Sequence, residues 1–501
     1  MLPENGRSTD ELISEITRMR SADLPVRGGK VTAYVYDTGR PEVHEAAARA
    51  HAEMLEVNML DPTAFPSIVA LERQVVGAVA ELLGGGPGTP GIFTGGGTES
   101  IMLAVKAARD ARPVAGTPRL VLPVTGHPAF HKAAHYLGVE VAPVPVDPVT
   151  YRADPEAMAR AVDERTILVV ASAPSYPQGA IDPVAEIAAM ARDRGVLCHV
   201  DACVGGWLLP WLREAGAEVP PFDLSVPGVT SISCDLHKFG YAPKGASVLL
   251  FADPALRRRA YFASAAWPGY TIINATVQSS RSAGPLAAAW ATLQALGREG
   301  YRELGRATLE ATRRLVAGVA EIPGLRVLGE PAASLVAIAG EDVDVFVLAD
   351  EARRRGWFLQ PQLSYAGIPA NVHITVSGAT LAGVEALLKV IAESADAARS
   401  RGPAPVPEGL AELVATLDPR VLDDMDDATF AELAASAGVD LAGLGRPGAA
   451  SGTVPEEGRE EALGRTPEMA PEMAMVNAVL DALPAPTREA VLVRFLAILY
   501  S

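Results

Sequence analysis

Residues 231–245 read Ser-Ile-Ser-Cys-Asp-Leu-His-Lys-Phe-Gly-Tyr-Ala-Pro-Lys-Gly. The β-branched opening predicts a short strand over 230–234, and Gly240, Pro243 and Gly245 then hold a loop in a defined shape. That loop carries His237 and Lys238 side by side. A Lys beside a His, just past a strand, is what an enzyme needs to hold pyridoxal 5'-phosphate (PLP). The amine forms a Schiff base and the imidazole reaches the phosphate or the ring. Taken alone the pair is equally a solvated surface dipeptide, so its surroundings decide.

Upstream, residues 197–206 read Leu-Cys-His-Val-Asp-Ala-Cys-Val-Gly-Gly, an apolar strand ending in an acid. Ligands of open α/β sheets sit at the carboxyl ends of strands. Asp201 there can pair with the pyridine nitrogen of PLP and keep it protonated; it is otherwise a turn or helix cap. Gly205 and Gly206 allow close backbone approach or form a plain turn. Farther upstream, residues 91–109 run from an extended start through Gly95-Gly96-Gly97 into an amphipathic helix. Free N–H groups at such a helix start bind anions, with Thr98 as N-cap or phosphate donor. No Gly-Lys-Ser/Thr follows, so this is not a P-loop, nor does it fit the dinucleotide Gly-x-Gly-x-x-Gly pattern. The remaining alternative is a capped turn.

Between these motifs apolar strands at 119–122, 140–144, 166–171, 197–200, 230–234 and 246–251 alternate with helices. That predicts an α/β fold with a mainly parallel sheet covered on both faces. Helices are expected at 41–56, 66–83, 284–297 and 302–320, and a strand at 372–376. The chain divides into an N-terminal segment (1–60), a large domain (61–300) and a smaller C-terminal α/β domain (301–400). A Pro/Ala/Glu-rich insertion, expected to be partly disordered (401–470), and a helical tail (471–501) follow.

Composition narrows the classes further. A net charge of −17 with no basic stripe argues against nucleic acid or an anionic membrane surface. There is no apolar N-terminal run and no stretch long enough to span a bilayer, so neither a signal peptide nor a membrane span is expected. Three sparse cysteines, Cys198, Cys203 and Cys234, fit a reducing, cytoplasmic compartment. Cys198, His199 and Cys203 do not make a metal site, because alternate strand positions face opposite ways.

With these motifs in hand, the chain resembles the PLP-dependent group II decarboxylase superfamily and, within it, the sphingosine-1-phosphate lyases. The likeness rests on Gly96-Gly97-Thr98-Glu99-Ser100, Val124 to Phe130 with Lys132 to Tyr136, and Pro177, Gly179 and Ile181-Asp182-Pro183. It continues through His199 to Cys203, Asp235, His237-Lys238 and Gly240 to Gly245, and returns faintly at Phe495 to Tyr500. The resemblance implies the fold-type-I PLP-dependent transferase architecture and PLP as cofactor. It implies Lys238 as the Schiff-base lysine, Asp201 as the ring-nitrogen partner, His127 stacked on the ring and His237 on the phosphate side. Gly96, Gly97 and Thr98 would then cradle the phosphate. Tyr36 and Lys244 would face the substrate, and Thr276 would reach the cofactor of a partner subunit in a homodimer with shared active sites.

Two departures bear on the substrate, a small amine or amino acid. The lyases carry a His, used on the substrate phosphate, where this chain has Asp61 in Asn58-Met59-Leu60-Asp61-Pro62. An acid there would repel a phosphate, unless it caps the turn before Pro62 and faces away from the pocket. The tyrosine and glycine of a second lyase loop are also missing from Thr271 to Thr276. The core motifs do not separate cleavage of Cα–Cβ, an aldehyde-lyase reaction, from loss of a carboxylate, because both use one electron sink. The overall likeness favours the lyase. An aminotransferase or a catalytically silent homologue fits less well.

Overall fold

Strand Thr166–Ser172 is buried at all seven positions, as a central parallel strand must be when helices cover both faces. It is one of seven strands in the main sheet of this computed structural model, which describes residues 2–406, 409, 418–436 and 472–500. In chain order these are β1 (Gly91–Thr94), β2 (Arg119–Pro123), β3 (Glu140–Val144), β4 (Thr166–Ser172), β5 (Leu197–Asp201), β6 (Ser231–Asp235) and β7 (Ser247–Phe251). The spatial order is β1-β7-β6-β5-β4-β2-β3. Strands β3, β2, β4, β5 and β6 pair in parallel. Strand β7 is antiparallel to both β6 and β1, so β1 again points the way of β6. The carboxyl ends of β1, β5 and β6 therefore open on one edge of the sheet, and those ends carry the Gly loop, Asp201 and Asp235.

The six strands expected in this region form within a residue or so of their predicted bounds. The helices expected at 284–297 and 302–320 form as two runs within Gly284–Ala320, broken at Gly297, whose φ 55° and ψ 179° are not helical. The domain boundary expected at 300 lies just past that break. In the N-terminal segment, Val31 makes a single bridge with Phe358. That bridge, with Thr32 N–H on Phe358 O and Thr375 N–H on Thr32 O, ties the N-terminal segment to the smaller domain.

A hairpin of β8 (Phe262–Ser264) and β9 (Ile272–Asn274) follows the main sheet. The smaller domain is a four-stranded antiparallel sheet, β10 (Leu325–Val327), β11 (Leu335–Gly340), β12 (Gln360–Gln362) and β13 (Asn371–Thr375), in the order β10-β11-β13-β12. Its apolar face packs with helices Val345–Arg354 and Val384–Arg401 around Val336, Ile338, Val372 and Ile374, all inaccessible to solvent.

Much of the stretch expected to be a partly disordered insertion lies outside the described residues. The part within them contains helices Pro419–Asp424 and Asp427–Ser436. Arg494 of the last helix, Ala485–Leu499, donates to Met425 O and the Asp427 carboxylate, docking that part onto the C-terminal helix. No described helix is long and apolar enough to cross a membrane.

Candidate active site

The Gly loop leaves β1 at Thr94 and enters helix Gly97–Ala111, whose N-cap is Gly96. Thr98 is therefore not the cap expected from sequence: it sits in the first turn and makes no capping bond. The first N–H groups of a helix lack intrahelical partners and favour an anion. The loop is pinned to the sheet by a buried hydroxyl chain, Thr94 Oγ1 to Ser100 Oγ at 2.7 Å and Ser100 Oγ to Ser247 Oγ at 2.9 Å. Its rim is tied by Glu99, whose carboxylate accepts from Gly95 N–H at 2.6 Å and from Val277 N–H at 2.9 Å.

A cavity of about 500 Å³ opens beside this loop. Gly96, Gly97, Thr98, His127, Asp201, His237 and Lys238 all line it, together with Cys203, Asp235, Val277 and Gln278. Most of the residues predicted from sequence to hold the cofactor thus converge on one space. Asp201 is 7% exposed and accepts from Cys203 N–H through Oδ1 at 3.1 Å. The backbone turns sharply after it: a Cβ on Gly205 would stand 2.3 Å from Ala173 O, so Gly205 serves close approach.

Backbone amides orient both histidines. Ala129 N–H donates to His127 Nδ1 at 3.1 Å, and Ala246 N–H to His237 Nδ1 at 3.2 Å. The proton of each neutral ring is accordingly assigned to Nε2. Burial lowers both imidazoles below their ordinary range, which favours those neutral donors.

Lys238 Nζ lies 2.9 Å from Asp235 Oδ2. Burial opposes its charge, but Asp235, with smaller contributions from Cys203, Tyr36 and Asp201, holds it above the ordinary lysine value. Lys244 donates to His237 O at 3.3 Å, and its Nζ stands 5.0 Å from the centre of the Tyr36 ring. Part of the Lys244 side chain reaches solvent. Burial of its ammonium end and the nearby Lys238 charge bring it down to about 8. Tyr36 packs edge-on against Phe239 at 5.0 Å, and burial raises its phenol.

Four residues expected at the site do not line the cavity: Tyr36 and Lys244, which pack beside the His-Lys loop, and Asp61 and Thr276. Asp61 Oδ1 accepts from Thr63 N–H at 2.8 Å, Thr63 Oγ1 at 2.6 Å and Ala64 N–H at 3.2 Å, capping an exposed turn. Those bonds hold its carboxyl below the usual range, so it stays charged at the turn, outside the cavity lining. Thr276 is buried and donates to Gln278 O at 2.8 Å, one step behind the lining residues Val277 and Gln278. Sequence reasoning gave no role to Asp235 or Glu99, although both fall inside the quoted motifs. Only their contacts across the sheet edge mark them out.

The cavity fits PLP on the structure's own terms. It offers a helix N-terminus for a phosphate, a lysine amine inside the same space and a carboxylate at a strand end. Side chains are absent from the loop where a ligand would approach. Comparison with known proteins agrees. The model of the pyridoxal-dependent decarboxylase conserved domain matches residues 35–339, and that of a pyridoxal-dependent enzyme C-terminal putative HTH domain matches 408–498. The chain belongs to the pyridoxal-dependent decarboxylase family, whose cofactor is pyridoxal phosphate, and it is a PLP-dependent lyase.

Its relatives include the sphingosine-1-phosphate lyase of Dictyostelium discoideum, 37% identical over 81% of this chain and 77% of that one. A probable L-tyrosine/L-aspartate decarboxylase of Methanothermobacter thermautotrophicus is 36% identical over 63% of this chain and 85% of that one. Among solved structures, the sphingosine-1-phosphate lyase of Burkholderia pseudomallei superposes with a TM-score of 0.75 at 36% identity, covering 80% of this chain and 93% of that one.

Proposed function

We propose that this lyase cleaves the Cα–Cβ bond of a 2-amino-3-hydroxy substrate of the sphingosine-1-phosphate kind. The observation that carries the reading is one cavity lined by the Gly loop, His127, Asp201 and Lys238 in a chain more than a third identical to lyases of that name. In such a cleavage the Cβ hydroxyl loses its proton and its oxygen becomes an aldehyde carbonyl. The bonding pair stays with Cα, which then takes up a proton. Bound PLP supplies the electron sink for that pair.

The chain's own groups divide the remaining work. Lys238 would anchor the cofactor, and Asp201 would hold the proton of its ring nitrogen. His127 would support the ring, and the helix start at Gly96 to Thr98 with His237 Nε2–H would bind the phosphate. Tyr36 and Lys244 face the substrate, and Lys244, brought down to about 8, accepts the hydroxyl proton. The turn-capping position of Asp61 removes the objection to a phosphorylated substrate that its charge raised.

The identity to the L-tyrosine/L-aspartate decarboxylase relative favours a second reading, loss of CO2 from an amino acid. Incubating the holoenzyme with sphingosine-1-phosphate, L-tyrosine and L-aspartate decides between them. Long-chain aldehyde with phosphoethanolamine supports the first reading. CO2 release without aldehyde overturns it.

A homodimer with shared sites accompanies this reading. The hairpin β8–β9 exposes Phe262, Tyr270 and Ile273 just ahead of Thr276, an apolar surface suited to a two-fold contact. Light scattering of an active sample is expected to give a dimer, and Ile273→Glu to weaken it. An active monomer overturns this part. The three unpaired cysteines support a cytoplasmic setting.

A further inference from the structure

Asp235 ends β6, faces Ser247 across the sheet and is 2% exposed. It lines the same cavity as Lys238, yet the roles assigned above leave it without one. Its Oδ2 meets Lys238 Nζ at 2.9 Å and stands 3.6 Å from His237 Nε2. Among the described residues, its Oδ1 finds no hydrogen-bond donor in good geometry. A buried carboxylate with an unpaired oxygen is costly, and a fold tolerates one where the charge has work to do. Room is also kept for it: a Cβ on Gly97 would fall 2.8 Å from Oδ2 and 2.9 Å from Oδ1.

Several other groups surround the Lys238 nitrogen. Asp201 and Cys203 come from the end of β5, Tyr36 from the N-terminal segment and Tyr176 from the loop after β4. His127 heads the helix after β2, and His237 and Lys244 belong to the loop after β6. Lys244 opposes a second positive charge. Burial pushes Cys203, Tyr36 and Tyr176 toward their neutral forms. Asp235 is the group that reaches the nitrogen at hydrogen-bond distance.

We propose that Asp235 is a positioning residue that holds the Lys238 nitrogen in place and keeps a proton on it, as the free ammonium and when that nitrogen is joined to the cofactor. A protonated linking nitrogen draws electrons from the carbon it binds and readies that carbon for attack by a substrate amine. The inference rests on Lys238 as the cofactor lysine.

The first test uses wild-type protein stripped of cofactor. Trinitrobenzenesulfonate modifies only neutral amines, and peptide mapping across pH gives the midpoint at Lys238. That midpoint is expected above the ordinary lysine value of about 10.4; one at or below it overturns the proposal. The second test follows visible absorbance of the holoenzyme across pH. In Asp235→Asn, the midpoint for proton loss from the linking nitrogen is expected to fall by about 1 unit or more, a tenfold change in the equilibrium. An unmoved midpoint in a variant that still binds cofactor overturns it. A wild-type protein that takes up PLP but carries it elsewhere than Lys238 fails the underlying reading instead, and the mapping reveals which.

Discussion

Gly97 and Asp235 lie far apart in sequence, yet a side chain on the first would collide with the second, the carboxylate oxygens standing 2.8 and 2.9 Å from where a Cβ would be. The contact joins the start of helix Gly97–Ala111 to the end of β6. It explains why the Gly loop and the His-Lys loop form one cavity: β1 and β6 point the same way on either side of β7, so both loops emerge at one edge. The bare backbone at Gly97 leaves space for a buried charge directly under the Lys238 amine.

Reduction of the holoenzyme with borohydride is expected to place a stable pyridoxyl label on Lys238. Lys238→Ala should bind cofactor only reversibly and lose activity by roughly 10³-fold or more, about 4 kcal/mol of barrier. Peptide mapping that finds the label on Lys244 refutes the site.

Asp201→Ala should retain cofactor but lower kcat by several orders of magnitude, because the ring nitrogen loses the partner that holds its proton. Steady-state rates alongside the bound-cofactor spectrum check this. Turnover near that of wild type rules out the assignment.

The pH profile should carry the mark of Lys244. Its folded-state value of about 8 leaves it protonated below that pH and neutral above it. If it accepts the substrate's hydroxyl proton, kcat rises about tenfold per pH unit below 8 and levels off above. Lys244→Met should be slow and should lack that rise. A variant keeping the wild-type profile assigns the limb to another group.

Glu99→Ala should loosen the segment after Thr276, since the carboxylate bonds the amides of both Gly95 and Val277. Bonds to a charged acceptor are worth about 1.5–3 kcal/mol each before solvent competes. Partial exposure of Glu99 reduces that, so a cofactor affinity weaker by about tenfold is expected, read by equilibrium dialysis of PLP. Unchanged affinity, with unchanged protease sensitivity of the loop, shows that Glu99 does not hold it.

The local chemistry of this protein was legible in the sequence. Continuous apolar runs between helices specified a parallel sheet, because only strands covered on both faces tolerate them. The order of Gly loop, strand-end Asp201 and His237-Lys238 pointed to PLP as the cofactor, because each motif is contiguous and the three together narrow what each alone leaves open. Packing across elements was not legible, because contacts between distant segments leave no periodic trace. Asp61 looked like a charge aimed at substrate and proved to be a turn cap satisfied by Thr63 and Ala64. Thr98 looked like a cap or a phosphate donor, and Gly96 takes the cap position. Asp235 was read only as part of a motif. Strand β7 lies antiparallel between β1 and β6, so both point the same way, and tertiary structure alone decided that the Asp235 carboxylate would be buried against Gly97 with Lys238 as its partner.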